Sequence, residues 1–229
     1  MKLKNKKLLI FDLDGTLIDS VPDLANAINF TLKKLNRDSF DEDIIRKWVG
    51  NGAITLVKRA LSGSVDIVDN LDNELFQKAI NIFLENYANN LCNDTKIYPN
   101  VKSSLEELKK RGYILTIVTN KPYKFIKPIL ESLDIEYLFE YYIGADTLDV
   151  KKPHPKPLLY VCNKFNIDID NSVMIGDSKN DILAGISANI DTIGVTYGYN
   201  YNENISYYNP TIVVDNFEEI LLSLEDSNG

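Results

Sequence analysis

The sequence predicts an α/β fold, a doubly wound parallel sheet with an all-helical segment inserted after its first strand. Two observations carry this prediction. From about residue 95 onward, short apolar runs rich in β-branched residues alternate with segments of helical periodicity, a pattern typical of parallel α/β sheets. Residues 21–87 show helical periodicity alone. A chain of 229 residues has room for one such core and a smaller inserted domain.

The N-terminal part contains one strand followed by four helices. The apolar run Leu8–Phe11 predicts a buried strand, which Asp12-Leu13-Asp14-Gly15 ends in a turn. A helix is expected to begin near Pro22, because Asp19 and Ser20 are good capping residues and proline favours the first helical turn. The same periodicity predicts three more helices, over residues 41–49, 53–61 and 75–87.

The pattern changes near Pro99, after which strands and helices alternate. Apolar runs predict strands over residues 113–118, 141–144, 173–175, 192–195 and 211–214. Helical periodicity predicts helices over residues 101–111, 123–133, 157–165, 182–188 and 217–224. This alternation indicates a Rossmann-like parallel sheet with helices on both faces.

The composition excludes several classes of partner. The net charge of −8 argues against nucleic acid, whose phosphate backbone attracts basic surfaces. No segment of the sequence approaches the roughly 18 apolar residues of a membrane span, so we expect no membrane partner. Two cysteines far apart in sequence fit a reducing compartment, and we expect a cytoplasmic protein. A monomer and a homodimer both stay open.

Polar side chains follow four predicted strands, at the edge where ligands bind in open parallel sheets. In chain order they are Asp12 and Asp14, then Thr119, Asn120 and Lys121, then Lys151 and Lys152, then Asp177, Ser178 and Asp181. Carboxylates suit Mg²⁺, whereas lysine and threonine can hold phosphate oxygens. A carboxylate can also act as a nucleophile that forms an aspartyl-phosphate. The mixture predicts a phosphate group bound beside a hard divalent cation.

Four short segments form ordered motifs: Phe11–Ser20, Thr119 after a strand, Lys152 before Pro153, and the acidic segment Gly176–Asp181. Together they resemble the motifs of the haloacid dehalogenase superfamily of phosphotransferases, and the resemblance covers nearly the whole chain. It implies a haloacid dehalogenase-like core of residues 1–16 and 95–229. Residues 17–94 would form a helical cap inserted after the first strand.

The resemblance also implies roles by position. Asp12 would attack phosphorus, and Asp14 would protonate the leaving oxygen and then activate water. Mg²⁺ would be held by the Asp12 side chain, the Asp14 backbone carbonyl and Asp177. The remaining implied residues are Thr119, Asn120 and Lys152 for phosphate, with Asp181 and Ser178 in support. The expected partner is a small phosphate ester.

Further segments resemble the bacterial phosphoglycolate phosphatases: Lys47–Gly52, Leu56–Leu61, Lys151–Pro155 and Gly194–Asn200. This similarity implies 2-phosphoglycolate as the substrate. Glycines allow tight backbone at a helix N-terminus, whose free N–H groups favour an anion such as a carboxylate. The candidate substrate-binding residues of the cap are therefore Gly50, Asn51, Gly52 and Arg59.

Several of these residues also have structural interpretations without a role in catalysis. Asp181 can be a helix cap, and Arg59 a surface charge. Lys151 is interpreted as a solvated lysine. The tyrosine-rich segment Tyr197–Tyr201 is interpreted as a surface loop, with a partner interface as its alternative.

Other functions on the same fold stay open to different degrees. Dehalogenases of the superfamily lack the second aspartate, so Asp14 argues against that branch. A phosphonate hydrolase needs a cap lysine, for which Lys33, Lys34, Lys47 and Lys58 are available. A phosphoglucomutase-like phosphotransferase, and a phosphatase for pyrophosphate, sugar phosphates or nucleotides, are further alternatives. A non-catalytic binding protein would be expected to have lost a motif residue, and none is lost.

Overall fold

The computed structural model describes residues 2–225, apart from the side chain of Asn202. Its strands are β1 (Leu8–Phe11), β2 (Ile18–Asp19), β3 (Lys96–Ile97), β4 (Ile114–Val118), β5 (Tyr141–Ile143), β6 (Ser172–Gly176), β7 (Asp191–Val195) and β8 (Ile212–Val214). Its α-helices are α1 (Val21–Lys34), α2 (Glu42–Arg46), α3 (Ala53–Ser62), α4 (Asn73–Asn89), α5 (Val101–Lys110), α6 (Tyr123–Ser132), α7 (Lys156–Phe165), α8 (Lys179–Ser187) and α9 (Glu218–Ser223).

The central sheet confirms the predicted α/β fold. Within residues 2–225 it has six parallel strands in the order β5-β4-β1-β6-β7-β8. Strand β1 lies in the middle and is fully buried, with Leu8 paired to Ile114 of β4 and to Ser172 of β6. The chain first builds the sheet on one side of β1 and then on the other, which is the doubly wound arrangement.

Each predicted strand and helix overlaps an observed one, and the differences lie mainly at the ends. The second predicted helix is shorter than expected, since α2 ends at Arg46 and the chain turns before α3. Gly50 in this turn has a φ of 118°, which an α-helix does not accommodate. Trp48 and Val49 are buried in the turn.

One small element was not predicted. Strands β2 and β3 pair antiparallel, with Ile18 opposite Ile97 and Asp19 opposite Lys96. Two residues per strand are too few for a periodicity to be visible. The pair joins the chain where it enters and leaves the helices α1–α4. The predicted helix start is confirmed, since Ser20 occupies the N-cap position of α1 and Oδ1 of Asp19 accepts a hydrogen bond from the backbone N–H of Val21 at 3.2 Å. The expected capping bond from the Ser20 side chain is absent.

Helices α1–α4 follow one another between β2 and β3, and we call residues 21–89 the helical block. Helix α4 packs against both α1 and α3. Its buried residues Phe83 and Tyr87 also belong to the apolar cluster that contains Phe125 of α6. The block therefore lies directly on the core. None of the helices described combines the length and apolar character that crossing a membrane requires.

Candidate active site

Three carboxylates meet beyond the carboxyl ends of β1 and β6. Asp12 directly follows β1, Asp177 directly follows β6, and Asp181 lies in the first turn of α8. One carboxylate oxygen from each residue lies within 4.8 Å of the other two, and all three residues are buried. Strand order explains this meeting, because β1 and β6 are neighbours in the sheet.

Burial and mutual repulsion shift the acidity of these groups. Burial raises the pKa of Asp12 to about 7, with Lys152 opposing this shift and Asp181 adding to it. The pKa of Asp177 is raised well above its ordinary value by burial and by the charges of Asp181 and Asp12. A cation at this position would offset the repulsion and favour the ionised carboxylates.

Lys152 supplies part of the positive charge. Its Nζ lies 2.6 Å from Oδ1 of Asp181 and 3.1 Å from Oδ1 of Asp12, and the residue is 1% exposed. Burial lowers the pKa of Lys152, but the two aspartates outweigh burial and the pKa is raised. The lysine therefore carries its charge at neutral pH.

Asp181 holds Lys152 and caps α8 at the same time. Its Oδ2 accepts hydrogen bonds from the backbone N–H of Ser178, at 3.0 Å, and from the Ser178 hydroxyl, at 2.8 Å. The bond from the backbone N–H is one half of a capping box, in whose other half the Ser178 side chain accepts from the backbone N–H of Asp181. The helix-cap interpretation and the supporting role are thus compatible, since each uses a different oxygen of Asp181.

Asp177 is held by neighbours from two loops. Its Oδ1 accepts a hydrogen bond from the hydroxyl of Thr16 at 2.9 Å, and its Oδ2 accepts one from the backbone N–H of Tyr199 at 2.8 Å. Both partners are neutral, so they orient the carboxylate without neutralising its charge. Among residues 2–225, Lys152 is the one cation that pairs with this cluster, through Asp12 and Asp181 and not through Asp177. The donor set fits a hard divalent cation, which prefers carboxylate oxygens.

The Asp14 carboxylate lies apart from this cluster and faces a different lysine. Its Oδ1 accepts hydrogen bonds from the Ser20 hydroxyl at 2.5 Å and from Nζ of Lys121 at 2.9 Å. Burial lowers the pKa of Lys121, but Asp14 and Tyr87 outweigh burial and raise it. The residue pattern does not predict this pair, because it depends on how the loops after the neighbouring strands β1 and β4 pack.

Thr119 and Asn120 follow β4 and line the same cavity as Asp12. The Asn120 amide Nδ2 donates to the backbone carbonyls of Lys152, at 3.1 Å, and Gly50, at 3.3 Å. Its buried Oδ1 has no hydrogen-bond partner within the described chain. A flipped amide would set Oδ1 against two carbonyl oxygens, so these bonds fix its orientation. The free atom is an acceptor, which gives no support to a phosphate contact through this amide.

The cavity is small, about 40 Å³, and lies between the core and the helical block. The core contributes Asp12, Asp14, Thr119, Asn120, Lys121, Pro122 and Phe125. The block and the turn before α3 contribute Leu24, Val49, Gly50, Gly52, Ala53, Leu56, Phe83 and Tyr87. The core thus supplies the polar side chains of the cavity, and the helical block supplies mainly apolar ones.

Polar contacts hold the turn before α3 against the core. The Gly50 carbonyl accepts hydrogen bonds from the side chains of Asn120 and Asn180, at 3.3 and 3.2 Å. The Asn51 carbonyl accepts one from Nζ of Lys151 at 2.6 Å. The interpretation of Lys151 as a merely solvated lysine is therefore wrong. It lies half-buried at this junction because its loop faces the turn.

The tyrosine-rich segment is not a simple surface loop, and that interpretation is wrong. Tyr199 is buried, and its hydroxyl accepts a hydrogen bond from the backbone N–H of Ser20 and donates one to Asp19. The Tyr197 hydroxyl donates to the carbonyl of Thr16 at 2.8 Å. The segment leaves the carboxyl end of β7, so it reaches the same edge of the sheet as the carboxylates.

Arg59 lies outside the cavity wall. Its Nη1 donates to the carbonyl of Trp48 at 2.7 Å, its Nε donates to the carbonyl of Val65 at 3.0 Å, and its guanidinium lies over the ring of Tyr201. The two hydrogen bonds tie two loops of the helical block together, and the ring contact joins the block to the tyrosine-rich segment. They give no support to a direct contact between Arg59 and a substrate.

Comparison with known proteins agrees with this geometry. The family model of haloacid dehalogenase-like hydrolases matches residues 9–195. The chain is 54% identical to the phosphoglycolate phosphatase of Colwellia psychrerythraea, over 98% of this chain and 100% of that protein. It is 44% identical to that of Haemophilus influenzae strain Rd, over 94% and 96%. A crystal structure of a predicted phosphoglycolate phosphatase from Haemophilus somnus is 42% identical, with a TM-score of 0.89 over 95% of this chain and 97% of that chain.

Proposed function

Since the chain belongs to the haloacid dehalogenase-like hydrolase family and is a phosphoric monoester hydrolase, we propose that it hydrolyses 2-phosphoglycolate to glycolate and phosphate. The reaction would proceed through an aspartyl-phosphate on Asp12, with Mg²⁺ as the cofactor. The observation that carries the proposal is the placement of two carboxylates with separate lysines at one edge of the sheet, Asp12 beside Lys152 and Asp14 beside Lys121. The names of relatives that match nearly the whole chain support the choice of substrate.

Asp12 is the nucleophile of the proposed first step. One of its oxygens forms a bond to phosphorus while the bond from phosphorus to the ester oxygen breaks. Lys152 lies 3.1 Å from Asp12, close enough to balance negative charge on the transferring phosphoryl group. Thr119 lines the same cavity, where its hydroxyl can donate to a phosphoryl oxygen.

Asp14 is the general acid and then the general base. It gives a proton to the departing glycolate oxygen, and afterwards it takes a proton from the water that attacks the aspartyl-phosphate. Two donors, the Ser20 hydroxyl and Lys121 Nζ, orient its carboxylate. The second step breaks the bond between the Asp12 oxygen and phosphorus, which restores the free carboxylate.

Asp12, Asp177 and the backbone carbonyl of Asp14 would hold the metal. Bound Mg²⁺ neutralises phosphoryl charge and polarises the group that is attacked. The support for this assignment is the buried cluster of carboxylates with raised pKa values. Asp181 would act indirectly, by holding Lys152 in position through the contact of 2.6 Å between Asp181 Oδ1 and Lys152 Nζ.

The substrate proposal is tested by measuring phosphate release with Mg²⁺ from a panel of esters. The panel contains 2-phosphoglycolate, sugar phosphates, nucleotides and pyrophosphate. We expect a clear preference in kcat/KM for 2-phosphoglycolate. A broad or different preference would overturn the substrate but keep the phosphatase mechanism. Transfer of phosphate from one sugar position to another, seen by product analysis, would favour a mutase instead.

A further inference from the structure

Tyr87 places a hydroxyl group in the cavity wall without a partner. The residue lies near the end of α4 and is 2% exposed, and within the described chain its oxygen makes no hydrogen bond of ordinary distance and angle. The neighbouring ammonium of Lys121 acts on this oxygen, but an ammonium can only donate, so it does not accept the proton of the hydroxyl. A buried hydroxyl without a partner is destabilising, and buried polar groups are normally satisfied. The unpaired hydroxyl lines the active-site cavity. It therefore suggests that a bound ligand accepts the hydrogen bond of this hydroxyl.

The surroundings of Tyr87 select the kind of ligand. Burial raises the pKa of Tyr87 to about 12, so the hydroxyl keeps its proton at neutral pH and can donate a hydrogen bond. Lys121 Nζ lies 4.9 Å from the centre of the Tyr87 ring and carries a buried positive charge. A donor beside a cation suits an anionic oxygen.

The rest of the wall limits the size of that ligand. The side chains next to Tyr87 are apolar, and they include Phe83, Phe125 and Leu56. The cavity volume is about 40 Å³. In the proposed function the phosphoryl group takes up the part of the cavity next to Asp12. The space on the Tyr87 side therefore suits a group of few atoms with one anionic end.

We propose that the Tyr87 hydroxyl determines substrate specificity by donating a hydrogen bond to a small carboxylate that lies beyond the phosphoryl group. This inference rests on the proposed function and assigns one residue that recognises the carboxylate of the substrate. Lys121 lies on the same side, where its charge offsets that of Asp14, so that an added carboxylate does not face an uncompensated aspartate. The carbonyls of Gly50 and Asn51 already accept hydrogen bonds from the core, so this turn could contribute to the same carboxylate only through its backbone N–H groups.

The test is the variant Tyr87→Phe, which removes one oxygen and keeps the ring. The ring packs against Phe83 and Phe125, with centroid distances of 5.7 and 5.1 Å, so the fold is expected to be retained. We compare kcat/KM for 2-phosphoglycolate with that for ethyl phosphate, which has the same two carbons but no carboxylate. The ratio of the two values within one preparation is independent of the fraction of active enzyme.

We expect Tyr87→Phe to lower kcat/KM for 2-phosphoglycolate by about tenfold to a hundredfold, the range for a hydrogen bond to a charged group. The value for ethyl phosphate should change by less than about threefold. The matched control is Tyr137→Phe, because Tyr137 is 51% exposed and outside the cavity. It should leave both values unchanged.

The outcomes separate this inference from the proposed function. If the wild-type protein prefers 2-phosphoglycolate and Tyr87→Phe keeps the full preference, the role of Tyr87 is overturned and the proposed function stands. An equal loss on both substrates also overturns the role. If the wild-type protein does not prefer 2-phosphoglycolate to ethyl phosphate, the proposed substrate fails, and the inference fails with it.

Discussion

Lys121 and Asp14 form a buried ion pair across the active-site cavity, with Nζ of Lys121 at 2.9 Å from Oδ1 and 3.1 Å from Oδ2 of Asp14. Their side chains are 3% and 13% exposed. Removing one member of a buried pair leaves the other charge without compensation. A substitution of Asp14, the residue proposed for proton transfer, should therefore lower the stability of the protein as well as its activity.

The first prediction concerns this pair. We expect Asp14→Asn and Lys121→Gln each to lower the free energy of unfolding by about 3 kcal/mol, because each leaves an unpaired buried charge. The double variant should lose less than the sum of the two. Urea denaturation of the four proteins gives the coupling energy.

The exposed pair Lys102–Asp134, at 2.6 Å, is the matched control. The same cycle with Lys102→Gln and Asp134→Asn should give a coupling energy below about 1 kcal/mol. Additive losses for Asp14 and Lys121, within the error seen at the control pair, would contradict a strong interaction between them.

The second prediction is kinetic. Asp14→Asn should slow hydrolysis by about two to four orders of magnitude, because an amide cannot give or take the proton and this is the usual reach of general acid–base catalysis. Steady-state phosphate release measures the effect. An unchanged kcat would remove the proposed role from Asp14, whatever happens to stability.

Much of the fold was predictable because single elements carry their own signal. The run Leu8–Phe11 is apolar along its length, and Ile114–Val118 is apolar apart from Thr116, which is typical of strands buried on both faces. The pair β2–β3 was missed because two residues per strand carry no period. Similarly, Ser20 looked like a cap, whereas the fold turns its hydroxyl toward Asp14.

The site was predictable only in part, for a related reason. Asp12, Asp177 and Lys152 each follow a strand, so their meeting follows from a parallel sheet. The partners of Asp14 and the role of the tyrosine-rich segment depend on how the loops pack. Tyr87 lies on the buried face of a helix, where its position looks the same as that of an ordinary core residue. Its unpaired hydroxyl is visible only once the helical block is placed on the core.

The third prediction concerns Asp12. Asp12→Asn should abolish turnover, because an amide cannot form the acyl-phosphate. It should also stabilise the metal-free protein at alkaline pH. Burial raises the pKa of Asp12 from 3.8 to about 7 in the folded state, so folding favours the protonated form and the wild type loses stability as pH rises toward 7. The asparagine variant does not share this loss.

The size of the effect follows from the same shift. Between pH 5 and pH 8 without metal, the stability advantage of Asp12→Asn should grow by about 2–3 kcal/mol. Urea denaturation at both pH values checks it, with the exposed Asp43→Asn as a control that should show no such growth. Residual turnover near the wild-type rate would contradict the nucleophile, and a pH-independent difference would contradict the cost of burying the Asp12 charge.

The fourth prediction concerns the metal. Chelation by EDTA should stop turnover, and added Mg²⁺ should restore it. Mg²⁺ should also raise the thermal stability of the wild type, by about 2.7 kcal/mol at a hundredfold excess over its Kd. Asp177→Asn should lose this gain, since Asp177 is a proposed ligand. The exposed Asp66→Asn should keep it, and an equal gain in Asp177→Asn would contradict the assigned site.

The last prediction concerns Gly52, whose φ is 84°. A β-carbon there would lie 2.6 Å from the carbonyl oxygen of Asn120, so Gly52→Ala should push the turn before α3 away from the core.

Gly63, at the other end of α3, also has a positive φ, but a β-carbon there would meet only the edge of Phe40, at 3.3 Å. Gly63→Ala should lose about 1–2 kcal/mol of stability, because an L-residue is strained at left-handed helical angles. Gly52→Ala should lose more, because its φ of 84° and ψ of 170° are essentially limited to glycine and the clash adds to the strain. Only Gly52→Ala should also lower kcat/KM, by about tenfold to a hundredfold, since small displacements of a site are costly. Equal kcat/KM values for the two variants would show that closure of this turn over the cavity does not limit the reaction.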